Sequence, residues 1–366
     1  MSKSTKNIIG IPRVELEDLF LSFGEKPFRA KQLMRWMYHR NILDLAEMTD
    51  LSLSLRQALS NQFNFNLPKV SLRQGSEDGT VKWLLDVGRG QEIEMVFIPE
   101  DKRGTLCVSS QVGCVLDCPF CATGLQGFNR NLSVSEIIGQ VVLAISDLST
   151  SDSPSPISNI VFMGMGEPLA NLRETVKACN LLIDDFGFGL SRRRVTVSTS
   201  GLVPQIHKLA DLSNVALAVS LHASNDKLRN VLVPINRKHP IDKLLSASWL
   251  YAEKTNSRQI TFEYIMLSGV NDKVSDAKNL AILLRNRPAK VNLIPFNPVK
   301  GISYERPQSS TIDLFREVLI QEGIFAITRR PRGVDINAAC GQLAGNFDNR
   351  VLAPLAHKMT SALSEQ

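Results

Sequence analysis

Four of the chain's six cysteines fall within fifteen residues, Cys107, Cys114, Cys118 and Cys121, in the stretch CVSSQVGCVLDCPFC; a fifth, Cys340, lies far downstream in AACGQLAG. Cys114-x3-Cys118-x2-Cys121 places three thiolates on one loop. Three such ligands can hold three irons of a [4Fe–4S] cluster, and the missing fourth leaves one iron open to a substrate or cofactor. Two other readings stand beside this one. Cys107 could complete a structural zinc site, although zinc favours paired C-x2–4-C knuckles and Cys107 sits seven residues upstream with strand-like sequence between. The cysteines could also be small buried hydrophobes, which is the natural reading of Cys179 in VKACNLLI and, taken alone, of Cys340 in AAC.

Other residues invite chemistry more weakly. In EIEMVFIPE, strand alternation puts Glu92, Glu94 and Val96 on one face, so periodicity alone does not choose between the two carboxylates. MGMGEP (Met163–Pro168) follows a strand-like run with two glycines and a carboxylate, which suits close backbone approach to a ligand and acceptance from an ammonium group, or simply a turn. His222, after another strand-like run, suggests acid–base work, but binding or backbone contact to a ligand is preferred for it. Asn297 between prolines also reads as a turn former.

The whole chain bounds these readings. Its 366 residues suffice for one large domain and a smaller one, and 43% hydrophobic with 21% charged residues is ordinary for a globular protein. MSKSTKNIIG lacks the order of a signal peptide, and no stretch reaches the roughly 18 apolar residues of a membrane span. A cytoplasmic location without membrane contact is expected, where clustered cysteines bind metals or catalyse rather than form structural disulfides. The net charge of +6 is uneven: residues 1–75 hold eleven Lys/Arg against seven Asp/Glu, and basic runs recur at Arg192–Arg194 and in TRRPRG. This charge is either a solvated surface or the footprint of a polyanion.

The elements that must position the cysteines follow from periodicity. Residues 1–68 read as helical, with RVELEDLFLSF and RAKQLMRWMYH broken by GEKPF; Trp36 and Tyr38 are read as core. Three β-like runs follow in 69–103, at Val70–Arg73, Val81–Val87 and Glu92–Ile98. From Thr105, strands at Thr105–Ser110, Ile157–Met163, Val195–Ser200, Val215–Leu221, Ile260–Met266 and Val291–Pro295, with an extra one at Phe325–Arg329, alternate with helices near 133–147, 171–186, 203–212, 241–254, 273–286 and 311–322. Such alternation predicts an α/β fold with a parallel sheet of six units, short of a full eight-unit barrel. Its chemistry should gather at the C-terminal ends of the strands. Ser133-x-x-Glu136 is a capping box that starts the first of these helices. STSDSPSPIS (Ser149–Ser158) reads as a polar surface loop and 346–366 as a tail.

These motifs have a known counterpart. CVLDCPFC matches the radical S-adenosylmethionine (SAM) signature. With its flanks, and with PFRAKQLMRWMY, GMGEPL, FGFGLSRRRVTVSTSG, ALAVSLHA, VPIN, EYIML, NLIPFNP and AACGQLAG, the chain resembles the RlmN/Cfr family of RNA adenine methyltransferases from about residue 15 to 350, the RlmN branch most. The resemblance implies a partial (β/α)6 radical-SAM barrel over 104–345, with residues 1–68 as a basic RNA-docking domain and 69–103 as a β-rich linker. It implies that Cys114, Cys118 and Cys121 hold a [4Fe–4S] cluster whose open iron takes SAM, and that Gly166, Glu167, Ser198, Ser220, Leu221, His222 and Asn297 contact SAM. Cys340 would carry a methyl group taken from one SAM. A radical from a second SAM would activate that S-methyl for addition to an adenine carbon, with Glu94 as proton acceptor; the choice between Glu94 and Cys107 for that proton stays open. Cys107 would then release the product through a transient disulfide with Cys340. The substrates implied are C2 of adenosine in 23S rRNA and in tRNA, with a flavodoxin-like electron donor. Rival readings are methylation at adenine C8, as in the Cfr branch, a non-catalytic metal-containing RNA-binding protein, and a radical enzyme acting on a small molecule.

Overall fold

The computed structural model describes residues 6–149 and 156–347. Most of the expected 149–158 loop and 346–366 tail thus lie outside the described residues.

Three antiparallel strands, β1 (Lys69–Gly75), β2 (Val81–Asp86) and β3 (Glu92–Glu100), lead into β4 (Arg103–Cys107). A short ribbon follows, β5 (Gln111–Gly113) with β6 (Phe128–Asn131). Then come β7 (Ile157–Phe162), β8 (Val195–Thr199), β9 (Ala216–Ser220), β10 (Ile260–Met266), β11 (Ala289–Pro295) and β12 (Phe325–Thr328). Apart from the ribbon these strands form one ten-stranded sheet in the order β12-β11-β10-β9-β8-β7-β4-β3-β2-β1. From β4 to β12 all neighbours are parallel. Six crossovers therefore join seven strands, and the expected extra strand is real. The β-like runs of 69–103 form the antiparallel flank of the same sheet, because β3 pairs directly with β4.

The crossovers pass through α5 (Val134–Ser149), α6 (Leu172–Ile183), α7 (Val203–Leu212), α8 (Asp226–Leu232) with α9 (Ile241–Lys254), α10 (Val274–Leu284) and α11 (Ser309–Gln321). The Ser133 capping box forms as expected: Glu136 N donates to Ser133 Oγ at 3.3 Å and Ser133 N to Glu136 Oε2 at 2.8 Å. The sheet is buried on its helix side by alternate residues, as in β10, where Phe262 meets Trp249 at 5.4 Å and Tyr264 meets Phe315 at 5.3 Å between ring centres. Alternation hands the opposite face to the remaining positions. Registered pairs Lys82↔Val96↔Cys107↔Val161 and Leu84↔Glu94 carry that face through the flank, and Ser198↔Ala218↔Thr261 with Ser220↔Glu263↔Asn292 carry it through the parallel strands. Lys82, Glu94, Cys107, Ser198, Ser220, Glu263 and Asn292 thus look into one lumen.

Ahead of the sheet lie α1 (Arg13–Ser22), α2 (Phe28–Met34), a π turn at Arg35–His39 and α3 (Leu53–Gln62). Trp36 and Tyr38 are buried, Trp36 Nε1 donating to Asp50 and Tyr38 Oη accepting from Gly10 N at 3.0 Å, so neither is a stacking platform. The small domain docks on the barrel through Arg13–Asp184 at 3.1 Å and Lys177–Glu15 at 2.8 Å. Among the described residues no helix is long and apolar enough to cross a membrane.

Candidate active site

The strand ends converge. After β4, Ser110 N and Gln111 N donate to Met165 O at 2.8 and 3.2 Å, joining the β4 loop to the turn after β7. That turn needs Gly166: its φ of +99° favours glycine, and a Cβ would meet the Gln111 side chain at 2.5 Å. Glu167 is buried, and its carboxylate accepts from Leu169 N at 3.1 Å and Ser200 N at 2.8 Å, tying the β7 turn to the end of β8. Burial pushes its pKa up and those N–H donors oppose the shift. Leu221 N donates to Glu263 O at 3.0 Å and Phe296 N to Met266 O at 3.2 Å, completing the series through β11.

His222 is buried with φ of 61°. Its Nδ1 accepts from Ile265 N at 3.0 Å, its carbonyl takes Asn271 Nδ2 at 2.9 Å, and its ring meets Phe120 edge-on at 4.9 Å. Burial and the Arg229 charge hold its pKa down at about 3. A neutral imidazole accepting from a backbone amide has no proton to exchange at Nδ1.

The three loop cysteines are unbridged, and each thiol is raised mainly by burial. Cys114 feels both Cys118 and Cys121. Short α4 (Ala122–Gln126) closes the loop, with Cys121 N donating to Cys118 O at 3.1 Å and Leu116 N to Cys114 Sγ at 3.4 Å. Among the described residues no three His, Cys, Asp or Glu side chains are placed to hold one metal ion. Three unbridged thiols on one loop, with Cys114 close enough to feel both others, are a donor set that would hold three irons of a cluster and leave a fourth open.

Residues 329–347 return from the β12 edge to the flank strands and carry Cys340 across the lumen. Asn346 N and O pair with Glu92 O and N at 3.3 and 2.8 Å. Ala122 N donates to Gly341 O at 2.8 Å, Thr123 Oγ1 to Leu343 O at 2.7 Å, and Asn297 Nδ2 to Cys340 O at 3.3 Å. Cys340 thus lies next in chain to a residue bonded to the cluster loop. Cys107 is buried at the end of β4; burial first, and then its neighbour Cys340, push the Cys107 thiol up to about 12, against Arg329 and the Met163 amide.

Glu94, not Glu92, enters this site. Its carboxylate pairs with Lys82 Nζ at 2.9 Å and accepts Ala344 N at 2.8 Å, while Glu92 engages Asn346 through its backbone. A cavity of about 490 Å³ opens beside this pair, lined by Lys82, Glu94, Ala122, Gln126, Gln342 and Ala344 among others. Ser198 and Ser220 lie on the lumen face at the ends of β8 and β9. Lys82, Arg229 and Asn271 were not anticipated, because no spacing marks them, and Arg329, read only as part of a basic run, lies 3.9 Å from Glu263.

The basic residues of the small domain are partly engaged. Arg29 pairs with Glu25 at 3.6 Å and donates to Asp50 O at 2.9 Å, and Arg40 lies over Trp36 at 4.0 Å. Lys31 and Arg35 lie 5.1 and 5.2 Å from the Phe186 ring.

Comparison with known proteins agrees with this architecture. Residues 6–64 match the ribosomal RNA large subunit methyltransferase N-terminal domain, and residues 108–281 match the radical SAM superfamily. A dual-specificity RNA methyltransferase RlmN from Francisella tularensis subsp. novicida (strain U112) is 51% identical over 350 residues, 94% of each chain. A crystal structure of a radical SAM methyltransferase from Sphaerobacter thermophilus superposes with a TM-score of 0.86 at 42% identity, covering 92% of this chain and 99% of that one. The chain therefore belongs to the RlmN family of radical SAM RNA methyltransferases.

Proposed function

We propose that this enzyme methylates C2 of an adenosine in 23S rRNA and in tRNA, consuming two SAM per turnover and passing through a methylated Cys340. The observation that carries this reading is the path of residues 329–347, which ties Gly341 to the cysteine loop and Ala344 to Glu94, on the lumen face that Cys107 shares. A thiol with no place in the cluster set, held between that set and a second free thiol, fits a carrier better than a core residue.

A cluster on Cys114, Cys118 and Cys121 would supply the electron that cleaves SAM to a carbon radical, which an electron-poor adenine C–H carbon requires. The chain's own residues would do the rest. Gly166, Glu167, Ser198, Ser220, Leu221, His222 and Asn297 line the converging strand ends and would hold SAM, the acidic and backbone groups facing its amino-acid part. The Cys340 thiolate would attack the methyl carbon of the first SAM, forming a C–S bond while the S–CH3 bond of SAM breaks and S-adenosylhomocysteine leaves. A radical drawn from the second SAM would take hydrogen from the S-methyl, the resulting methylene radical would add to the ring carbon, and the adduct would then lose its ring proton to Glu94 or Cys107 and its unpaired electron to the redox centre that supplied the first. The Cys107 thiolate would then attack the Cys340 sulfur, breaking its bond to the bridging carbon, which leaves with the electron pair and is protonated to methyl; the two sulfurs end as a disulfide. An external flavodoxin-like protein would supply electrons, and Lys31 and Arg35 of the small domain would meet RNA phosphates.

The test is anaerobic reaction of cluster-loaded protein with SAM, reductant and an rRNA fragment, followed by mass spectrometry of the nucleosides. 2-Methyladenosine is expected. 8-Methyladenosine would move the enzyme to the C8 reaction, and no methylated adenosine from protein that cleaves SAM would sink the RNA reading. Cys107→Ala should trap a Cys340–RNA adduct as a shifted band on a denaturing gel; its absence under turnover would remove Cys107 from the resolving role.

A further inference from the structure

Arg229, on α8, is fully buried. Four of its five N–H groups are committed. Nε donates to Leu221 O at 3.0 Å, Nη2 to Ser200 O at 2.7 Å and to Ser220 O at 2.9 Å, and Nη1 to Asn236 Oδ1 at 2.7 Å. The three carbonyls terminate β8 and β9. Ser200 is also the residue whose N–H is held by Glu167, so a continuous belt runs from Gln111 through Glu167, Ser200 and Arg229 to Ser220 and Leu221.

Among the described residues no carboxylate forms an ion pair with this guanidinium. Asp226 reaches it only through Asn236, whose Nδ2 donates to Asp226 Oδ1 at 2.8 Å. A buried cation compensated mainly by carbonyl dipoles carries a desolvation cost that a hydrophobic residue would avoid. Burial lowers its pKa to about 10, and the groups that oppose this are Cys118 first and then Asp226. Leu228 and Leu232 of the same helix pack in one apolar group with Cys118, Phe120 and Cys121, so α8 lies against the cysteine loop.

We propose that Arg229 is a positioning residue with two separable tasks: its planar fork holds the β8 and β9 ends in the arrangement that binds SAM, and its charge stabilises the cluster in its reduced, more negative state. The inference rests on the functional reading above. The fork argues for Arg over Lys, because an ammonium cannot serve three carbonyls and an amide from one plane. The charge argues for either over a neutral residue, since a nearby buried cation favours the electron-rich state of a cluster.

The experiment uses the full chain with its cluster reconstituted anaerobically and no RNA. SAM affinity and the cluster's midpoint potential are measured for wild type, Arg229→Lys, Arg229→Met and Asn236→Ser. Arg229→Lys should weaken SAM binding at least about tenfold while leaving the reduction equilibrium within about twofold, outer-shell losses of 10- to 100-fold being usual. Arg229→Met should weaken SAM binding and also shift the reduction equilibrium about tenfold toward the oxidised cluster, about 59 mV for one electron. Asn236→Ser should weaken SAM binding with the potential unchanged, and it carries the fork test if Arg229→Met does not fold. Arg229→Lys binding SAM as wild type overturns the fork. An unmoved potential in folded Arg229→Met overturns the charge, as would a Lys variant whose potential shifts tenfold. Wild-type protein that loads a cluster but binds no SAM would instead sink the functional reading.

Discussion

Glu94→Gln separates anchoring from catalysis. In the wild type, Lys82 and Glu94 are 9% exposed each and 2.9 Å apart, and both hold the Cys340 segment, Glu94 through Ala344 N and Lys82 through Asn337 O at 3.4 Å. Removing one charge leaves the other buried and unpaired, which costs about 3–5 kcal/mol. The amide keeps an acceptor for one of the two donors, so the lower end, about 3 kcal/mol, applies to opening of the segment; at about 1.4 kcal/mol per decade this is roughly a 100-fold rise in the open population. Hydrogen exchange of a peptide covering 337–347, read by mass spectrometry on metal-free protein, reports that opening without any turnover. Glu94→Gln should exchange roughly 100-fold faster there, and Lys82→Met/Glu94→Gln, which removes both charges, should return to within about tenfold of wild type, as replaced buried pairs do. Unchanged exchange in the single variant, or a double variant as fast as the single one, would refute the anchor. If the anchor holds, loss of methylation in Glu94→Gln is not by itself proof that Glu94 is the base.

Three further outcomes are expected. His222, neutral in the fold with a pKa of about 3 against 6.5 unfolded, binds its proton in the unfolded chain first; its contribution is intact above pH 6.5 and is lost by about 1.4 kcal/mol per unit as pH falls toward 3. His222→Gln should therefore flatten the stability–pH curve between pH 6.5 and 4.5 in urea titrations, and an unchanged slope would refute the buried neutral imidazole. Gly345→Ala would drive a Cβ to 2.1 Å from Glu92 O, so limited proteolysis should cut the variant near 340–347 at protease levels the wild type survives. Lys31→Ala/Arg35→Ala should weaken RNA binding and reduce the slope of log affinity against log salt by about 0.7 per lost single-strand phosphate contact, whereas Arg29→Ala, already tied to Glu25 and Asp50, should change the slope less.

Much of this molecule is local and was readable from the chain. Cysteine spacing, the Ser133 capping box, the alternation of strands with helices and the burial of Cys179, Trp36 and Tyr38 depend on residues a few positions apart, where covalent geometry and period set the outcome. The β7 turn with Gly166 and Glu167 was legible for the same reason. What the chain alone left open were the choices that register and burial make between distant residues. Glu92 and Glu94 share a strand face, and only Lys82 on the next strand with Ala344, 250 residues away, draws Glu94 into the site. The flank of residues 69–103 became part of the barrel sheet because β3 found β4 as its neighbour. Arg29 is taken up by Glu25 and Asp50, and Arg229, one of several polar residues on α8, ties the β8 and β9 ends together. A buried polar group must find its partners wherever the fold places them, and those partners carry no fixed sequence offset.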